Sequence, residues 1–63
     1  MTNEEIKAYL KSKEPVSYEG IEYAYIDEVR YRNDNGRLTI SAVLKDKQAN
    51  SITVAKAGKV EKA

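Results

Sequence analysis

Between Ile21 and Arg32 the chain alternates between apolar and polar residues. Ile21, Tyr23, Tyr25, Val29 and Tyr31 occupy odd positions, whereas Glu22, Glu28, Arg30 and Arg32 occupy even ones. A period of two belongs to a half-buried strand, and Tyr, Ile and Val suit a pleated surface. Ile26 and Asp27 are out of phase with the rest. A β-bulge or sharp bend at this pair restores the parity. Either the bulge turns Asp27 outward or its carboxylate finds a Tyr or Arg partner, because an unpaired buried carboxylate is costly. Bulges are common at such bends, which favours the outward orientation.

A second alternating run covers 37–45, with Leu38, Ile40, Ala42 and Leu44 on one face and Val43 as the exception. Between the runs lies Asn33-Asp34-Asn35-Gly36, and Asn-Gly is a strong hairpin signal because a type I′ turn needs positive φ at both central residues. A two-residue loop pairs Tyr31 with Ile40, and a four-residue loop pairs Tyr31 with Leu38. Both place apolar opposite apolar, and both remain open. A third run, 51–56, points Ile52 and Val54 one way. A five-residue loop at 46–50 sets Leu44 opposite Ile52 and Ala42 opposite Val54, which again matches apolar faces. Three antiparallel strands in a meander follow.

Before this meander, Thr2 with Glu5 three residues later fits a capping box, with Asn3 as an alternative N-cap. Ile6, Tyr9 and Leu10 then form one helical stripe, and Pro15 limits the helix to about 3–13. Residues 16–18 predict a short strand, Glu19-Gly20 a tight turn closing a first hairpin, and 59–61 a last strand after a turn at Ala57-Gly58, with Val60 inward. The sum is one mainly β domain over residues 1–63. A short N-terminal helix precedes a five-stranded antiparallel SH3-like small barrel with strands at 16–18, 21–32, 37–45, 51–56 and 59–61. The alternative is an open curved antiparallel sheet with the helix on one face.

Composition narrows the chemistry. The chain has 63 residues with neither Cys nor His. It therefore has no disulfide and no thiolate metal site, and it lacks the commonest general acid–base group. A chain this short buries only about 60% of its unfolded surface. Gly20, Gly36 and Gly58 are far apart, unlike the clustered glycines of phosphate-binding loops. Ser12, Ser17, Ser41 and Ser51 show no nucleophile elbow. Asp27-Glu28 and Asp46 lack the spacing of a calcium loop. These features predict no catalytic residues, no cofactor and no metal. The first residues lack the basic and apolar regions of a secretory leader, and no apolar run approaches a membrane span. With the absence of Cys, this predicts a soluble, cytoplasmic chain.

Net charge is +1, but residues 1–28 carry −4 and residues 29–63 carry +5. Arg30, Arg32 and Arg37 are expected to cluster on the outer face of the central hairpin, where they attract phosphates non-specifically. The plainer role for such a cluster is a solvated face. All five aromatic residues are Tyr, whose polar end favours boundary positions. Tyr18, Tyr23 and Tyr25 join the three arginines as the candidate binding surface, for a peptide or for stacked bases.

The runs Glu14 to Tyr23, Ile26 to Arg32, Gly36 to Asp46 and Asn50 to Ala55 together resemble small uncharacterised proteins encoded in prophages and mobile elements of Firmicutes bacteria, a likeness that spans Ile6 to Val60. That resemblance implies a strand-and-turn scaffold and carries no catalytic or binding residue with it. The general shape is also similar to SH3-like barrels, which in different families bind peptides, RNA or DNA. The expected function is a non-catalytic binding or structural accessory module acting through protein–protein contacts. The alternative is a small RNA- or DNA-binding barrel that uses the arginines and tyrosines.

Overall fold

In the computed structural model, which describes residues 1–48 and 51–63, the helix α1 runs Asn3–Ser12. Thr2 is its N-cap. The Glu5 amide donates to Thr2 Oγ1 at 3.2 Å, and the Thr2 amide donates back to Glu5 Oε1 at 2.9 Å. This reciprocal pair satisfies two of the donors that a helix start leaves free. The helix ends where Lys13 turns left-handed at φ 58° and its amide bonds to the Tyr9 carbonyl. Ile6 is fully buried, and Tyr9 and Leu10 lie half-buried against the same core.

Six strands follow: β1 Val16–Tyr18, β2 Ile21–Tyr23, β3 Tyr25–Asp34, β4 Arg37–Lys45, β5 Ile52–Lys56 and β6 Glu61–Lys62. They form two three-stranded antiparallel sheets, ordered β2-β1-β6 and β3-β4-β5. The expected closed five-stranded barrel is not formed. The run expected as one strand over 21–32 breaks at Ala24, so Ile21–Tyr23 pairs with β1 and Tyr25–Asp34 pairs with β4. One hydrogen bond, from the Ala24 amide to the Lys45 carbonyl at 2.8 Å, holds this corner. The last strand also shifts. Residues Ala57–Lys59 make a 3-10 turn, and the pairing with β1 begins at Glu61. Val60 still points inward and is fully buried.

The central hairpin has the two-residue loop. Tyr31 lies opposite Ile40 and Asp34 opposite Arg37. Asn35 and Gly36 have φ of 52° and 84°, the two positive values that a type I′ turn requires. The Asn33 side chain accepts from the Gly36 amide at 3.0 Å. A bulge lies between Ile26 and Glu28, and the extra residue, Asp27, is exposed.

The pairing of β5 differs from expectation by one residue. Leu44 faces Thr53, Ala42 faces Ala55, and Val43 faces Val54. The inner face takes the small Ala42–Ala55 pair among the bulkier Ile6, Leu44 and Val60. Ile52 and Val54 therefore join Val43 on the other face. The residue out of phase in β4 is the one that Val54 meets. The loop expected at 46–50 lies partly outside the described residues. At its described ends the Asp46 amide donates to the Ser51 carbonyl, and the Ser51 hydroxyl donates to Asp46 Oδ2.

The core sits between the two sheets under the helix. It contains Ile6, Val16, Tyr23, Ile26, Ala42, Leu44, Ala55, Ala57 and Val60. The molecule measures 36 × 21 × 20 Å, elongated because the β3–β4 hairpin runs on past the end of β5.

Candidate interaction surface

The register sorts the β3-β4-β5 sheet into rows, because residues opposite one another share a face. On the inner face the rows are Ile26–Leu44–Thr53, Val29–Ala42–Ala55, Tyr31–Ile40 and Asn33–Leu38. The first two rows reach into the core and Ile40 of the third still packs against it, whereas the last two rows have no β5 residue beside them where the hairpin projects as an arm. Tyr31 is 53% exposed and Leu38 66%. They are diagonal neighbours across the hairpin, close enough for an aromatic ring and a leucine to touch. With Ile40, half-buried against the core, they form an apolar platform that runs from the core's rim out along the arm.

On the outer face the rows are Tyr25–Lys45–Ile52, Glu28–Val43–Val54, Arg30–Ser41–Lys56, Arg32–Thr39 and Asp34–Arg37. This face collects Arg30, Arg32, Arg37, Lys45 and Lys56 against two carboxylates. Arg30 Nε lies 3.5 Å from Glu28 Oε1 with both side chains exposed, a pairing worth less than about 1 kcal/mol. A shallow cleft of about 440 Å³ opens where β5 turns away. Its lining includes Arg32, Thr39, Ser41, Lys56 and Gly58.

The six residues singled out from the sequence are thus split. Arg30, Arg32, Arg37 and Tyr25 share the outer face. Tyr25 also lies beneath Lys13, whose Nζ is 5.4 Å from the ring centroid. Tyr18 and Tyr23 belong to the other sheet. Tyr23 is only 8% exposed within the core, and Tyr18 packs half-buried against it. Burial raises the Tyr18 pKa above the ordinary tyrosine value, and a hydrogen bond to the Glu19 carboxylate raises it further.

Tyr31, Leu38, Ile52 and Val54 were not singled out. A signal for the first two exists in the sequence. The two hairpin runs are longer than the third run beside them, so the hairpin tip must extend beyond any β5 partner. The exposure of Ile52 and Val54 follows from the one-residue register difference, which apolar matching alone does not reveal.

Among the described residues no polar or charged side chain is fully buried. Among the same residues no helix is long and apolar enough to cross a membrane. The chain matches no protein-family model, no curated protein sequence and no solved structure.

Proposed function

We propose that this chain is a non-catalytic module that binds another protein through the apolar platform on its projecting hairpin. The observation that carries the reading is the joint exposure of Tyr31 and Leu38 on one face of the hairpin, beyond the rim of the core that Ile40 still touches. Inner-face alternation normally ends where the core ends, but here it continues to the hairpin tip. Tyr is enriched in protein interfaces because it brings a large ring with few rotatable bonds. The test is affinity capture from the native host with the wild-type chain and with Tyr31→Ser/Leu38→Ser, both confirmed as folded by circular dichroism. A partner retained by the wild type and lost by the double variant supports the reading. Equal capture by both refutes it.

A second reading is favoured by the outer face, where Arg30, Arg32, Arg37, Lys45 and Lys56 gather. Such a cluster neutralises phosphates, and Tyr25 at one end offers a ring on which a base could stack. Titration with a single-stranded oligonucleotide at two salt concentrations tests it. Binding that weakens steeply with salt and is lost in Arg30→Ala/Arg32→Ala supports this reading. No binding at low salt removes it.

A further inference from the structure

We infer that the open edge of β5 is a docking site for an extended peptide segment whose outward side chains are one acidic residue followed by two apolar ones. This inference rests on the reading of the domain as a protein-binding module, but it concerns a different surface from the hairpin platform.

The main-chain directions follow from the type I′ turn. Its closing pair, Asp34 and Arg37, exchanges hydrogen bonds, so the odd residues of β4 turn their N–H and C=O toward β3. The Lys45 carbonyl agrees, since it accepts from Ala24. The even residues turn toward β5, and the Asp46 amide agrees, since it donates to Ser51. Ala42–Ala55 and Leu44–Thr53 are then the hydrogen-bonded pairs of the β4–β5 ladder. The amides and carbonyls of Ile52, Val54 and Lys56 point the other way, to the side where the sheet order ends at β5.

Natural edges are usually protected by Pro, a bulge or an inward charge. β5 reads Ile-Thr-Val-Ala-Lys and has none of these until Lys56. By contrast, the opposite edge of this sheet, β3, carries a bulge and charges of both signs along its length. The side chains on the outward side of β5 are half-exposed Ile52 and Val54, then Lys56.

Charge selects the occupant. The neighbouring rows of the outer face add Lys45, Arg30 and Arg32, with Glu28 and Asp34 as the acids. A second copy of this chain, pairing antiparallel about Val54, would bring its Lys56 beside Ile52, with Lys45 on the other side, and add cations to a cationic face. An acidic residue opposite Lys56 and apolar residues opposite Val54 and Ile52 complement this edge instead. Main-chain bonds supply the attachment, and alternate side chains supply the choice of partner.

The test uses the full chain, labelled with ¹⁵N, and the peptide acetyl-Ser-Glu-Ser-Val-Ser-Val-Ser-amide, with a control carrying Lys in place of Glu. Binding should slow exchange of the Ile52, Val54 and Lys56 amides, whereas Thr53 and Ala55, already bonded to β4, should change little. The Glu peptide should bind roughly fivefold or more tighter than the Lys peptide, since opposite charges across strands stabilise and like charges destabilise. Lys56→Glu should reverse that preference. Val54→Pro should abolish binding with the fold intact, because Pro is tolerated where an N–H faces the open side of an edge strand. Equal binding of the two peptides, protection confined to other residues, or no binding by a monomeric chain would each overturn the inference. So would sedimentation showing a dimer whose β5 amides are already protected, since a second copy would then occupy the edge. None of these failures touches the hairpin platform, which Tyr31→Ser/Leu38→Ser tests separately.

Discussion

Truncating Leu38 and truncating Leu44 should have very different effects on stability, although both point to the inner face of the same strand. Leu44 is fully buried within the core cluster, whereas Leu38 is 66% exposed on the arm. Leu→Ala at a buried site removes transfer free energy and leaves a cavity, costing about 2–5 kcal/mol. At Leu38 only a third of the side chain leaves water on folding. A third of the roughly 2–3 kcal/mol for full burial is below about 1 kcal/mol, with no cavity added. A domain of this length has about 3–9 kcal/mol of stability in total. Leu44→Ala therefore removes a large share of it, and Leu38→Ala a small one. Urea unfolding followed by tyrosine fluorescence and circular dichroism measures both. With a slope of about 1 kcal/mol per molar, the midpoint should fall by about 3 M for Leu44→Ala, or the folded baseline should vanish. It should fall by less than about 1 M for Leu38→Ala. Equal losses would mean that Leu38 is covered within the folded chain, and the platform reading would fail with it.

Three further outcomes are expected. Thr2→Ala should cost about 1 kcal/mol through the lost helix cap. The Glu5 carboxyl, held below its ordinary pKa by the Thr2 amide and then the Thr2 hydroxyl, should move back toward that value in an NMR titration. Because the folded pKa is depressed, the wild-type contribution of this carboxylate is complete above the ordinary glutamate pKa and is lost as pH falls through the lowered folded value. Tyr18 titrates the other way. Its raised pKa means that its contribution is complete below the ordinary tyrosine value and is lost as pH rises through the folded one, and Glu19→Gln should lower the pKa in a spectrophotometric titration. Gly36→Ala should cost about 1–2 kcal/mol by thermal unfolding, purely from φ of 84°, since an added Cβ meets nothing within 4 Å.

What could be read from the sequence was local. The capping box, the Asn-Gly turn and the bulge at Asp27 each depend on a few adjacent residues, and each formed as expected. The break at Ala24 was not legible, because alternation continues smoothly across it from Tyr23 to Tyr25. Only the partners differ, and partners are set by the rest of the chain. The β5 register was missed for a related reason. Matching Ile52 and Val54 to Leu44 and Ala42 satisfies the two strands alone. The small Ala42–Ala55 pair fits a core that also contains Ile6 from the helix and Val60 from the far end of the chain. The candidate surface was partly legible. Parity correctly grouped the three arginines, but parity cannot tell an inner-face residue over the core, such as Val29, from one past its rim, such as Leu38.

The arm beyond β5 has one further consequence. Among the described residues its tip is tied to the base through the β3–β4 ladder, and the bulge at Asp27 pins that ladder close to the base. Inserting one residue on each side of Asn35-Gly36 would leave a non-hydrogen-bonded pair to close the type I′ turn, whereas inserting two on each side would restore a hydrogen-bonded closing pair and extend the arm by about 7 Å. The length of the arm can thus change by such double steps while its foundation stays the same.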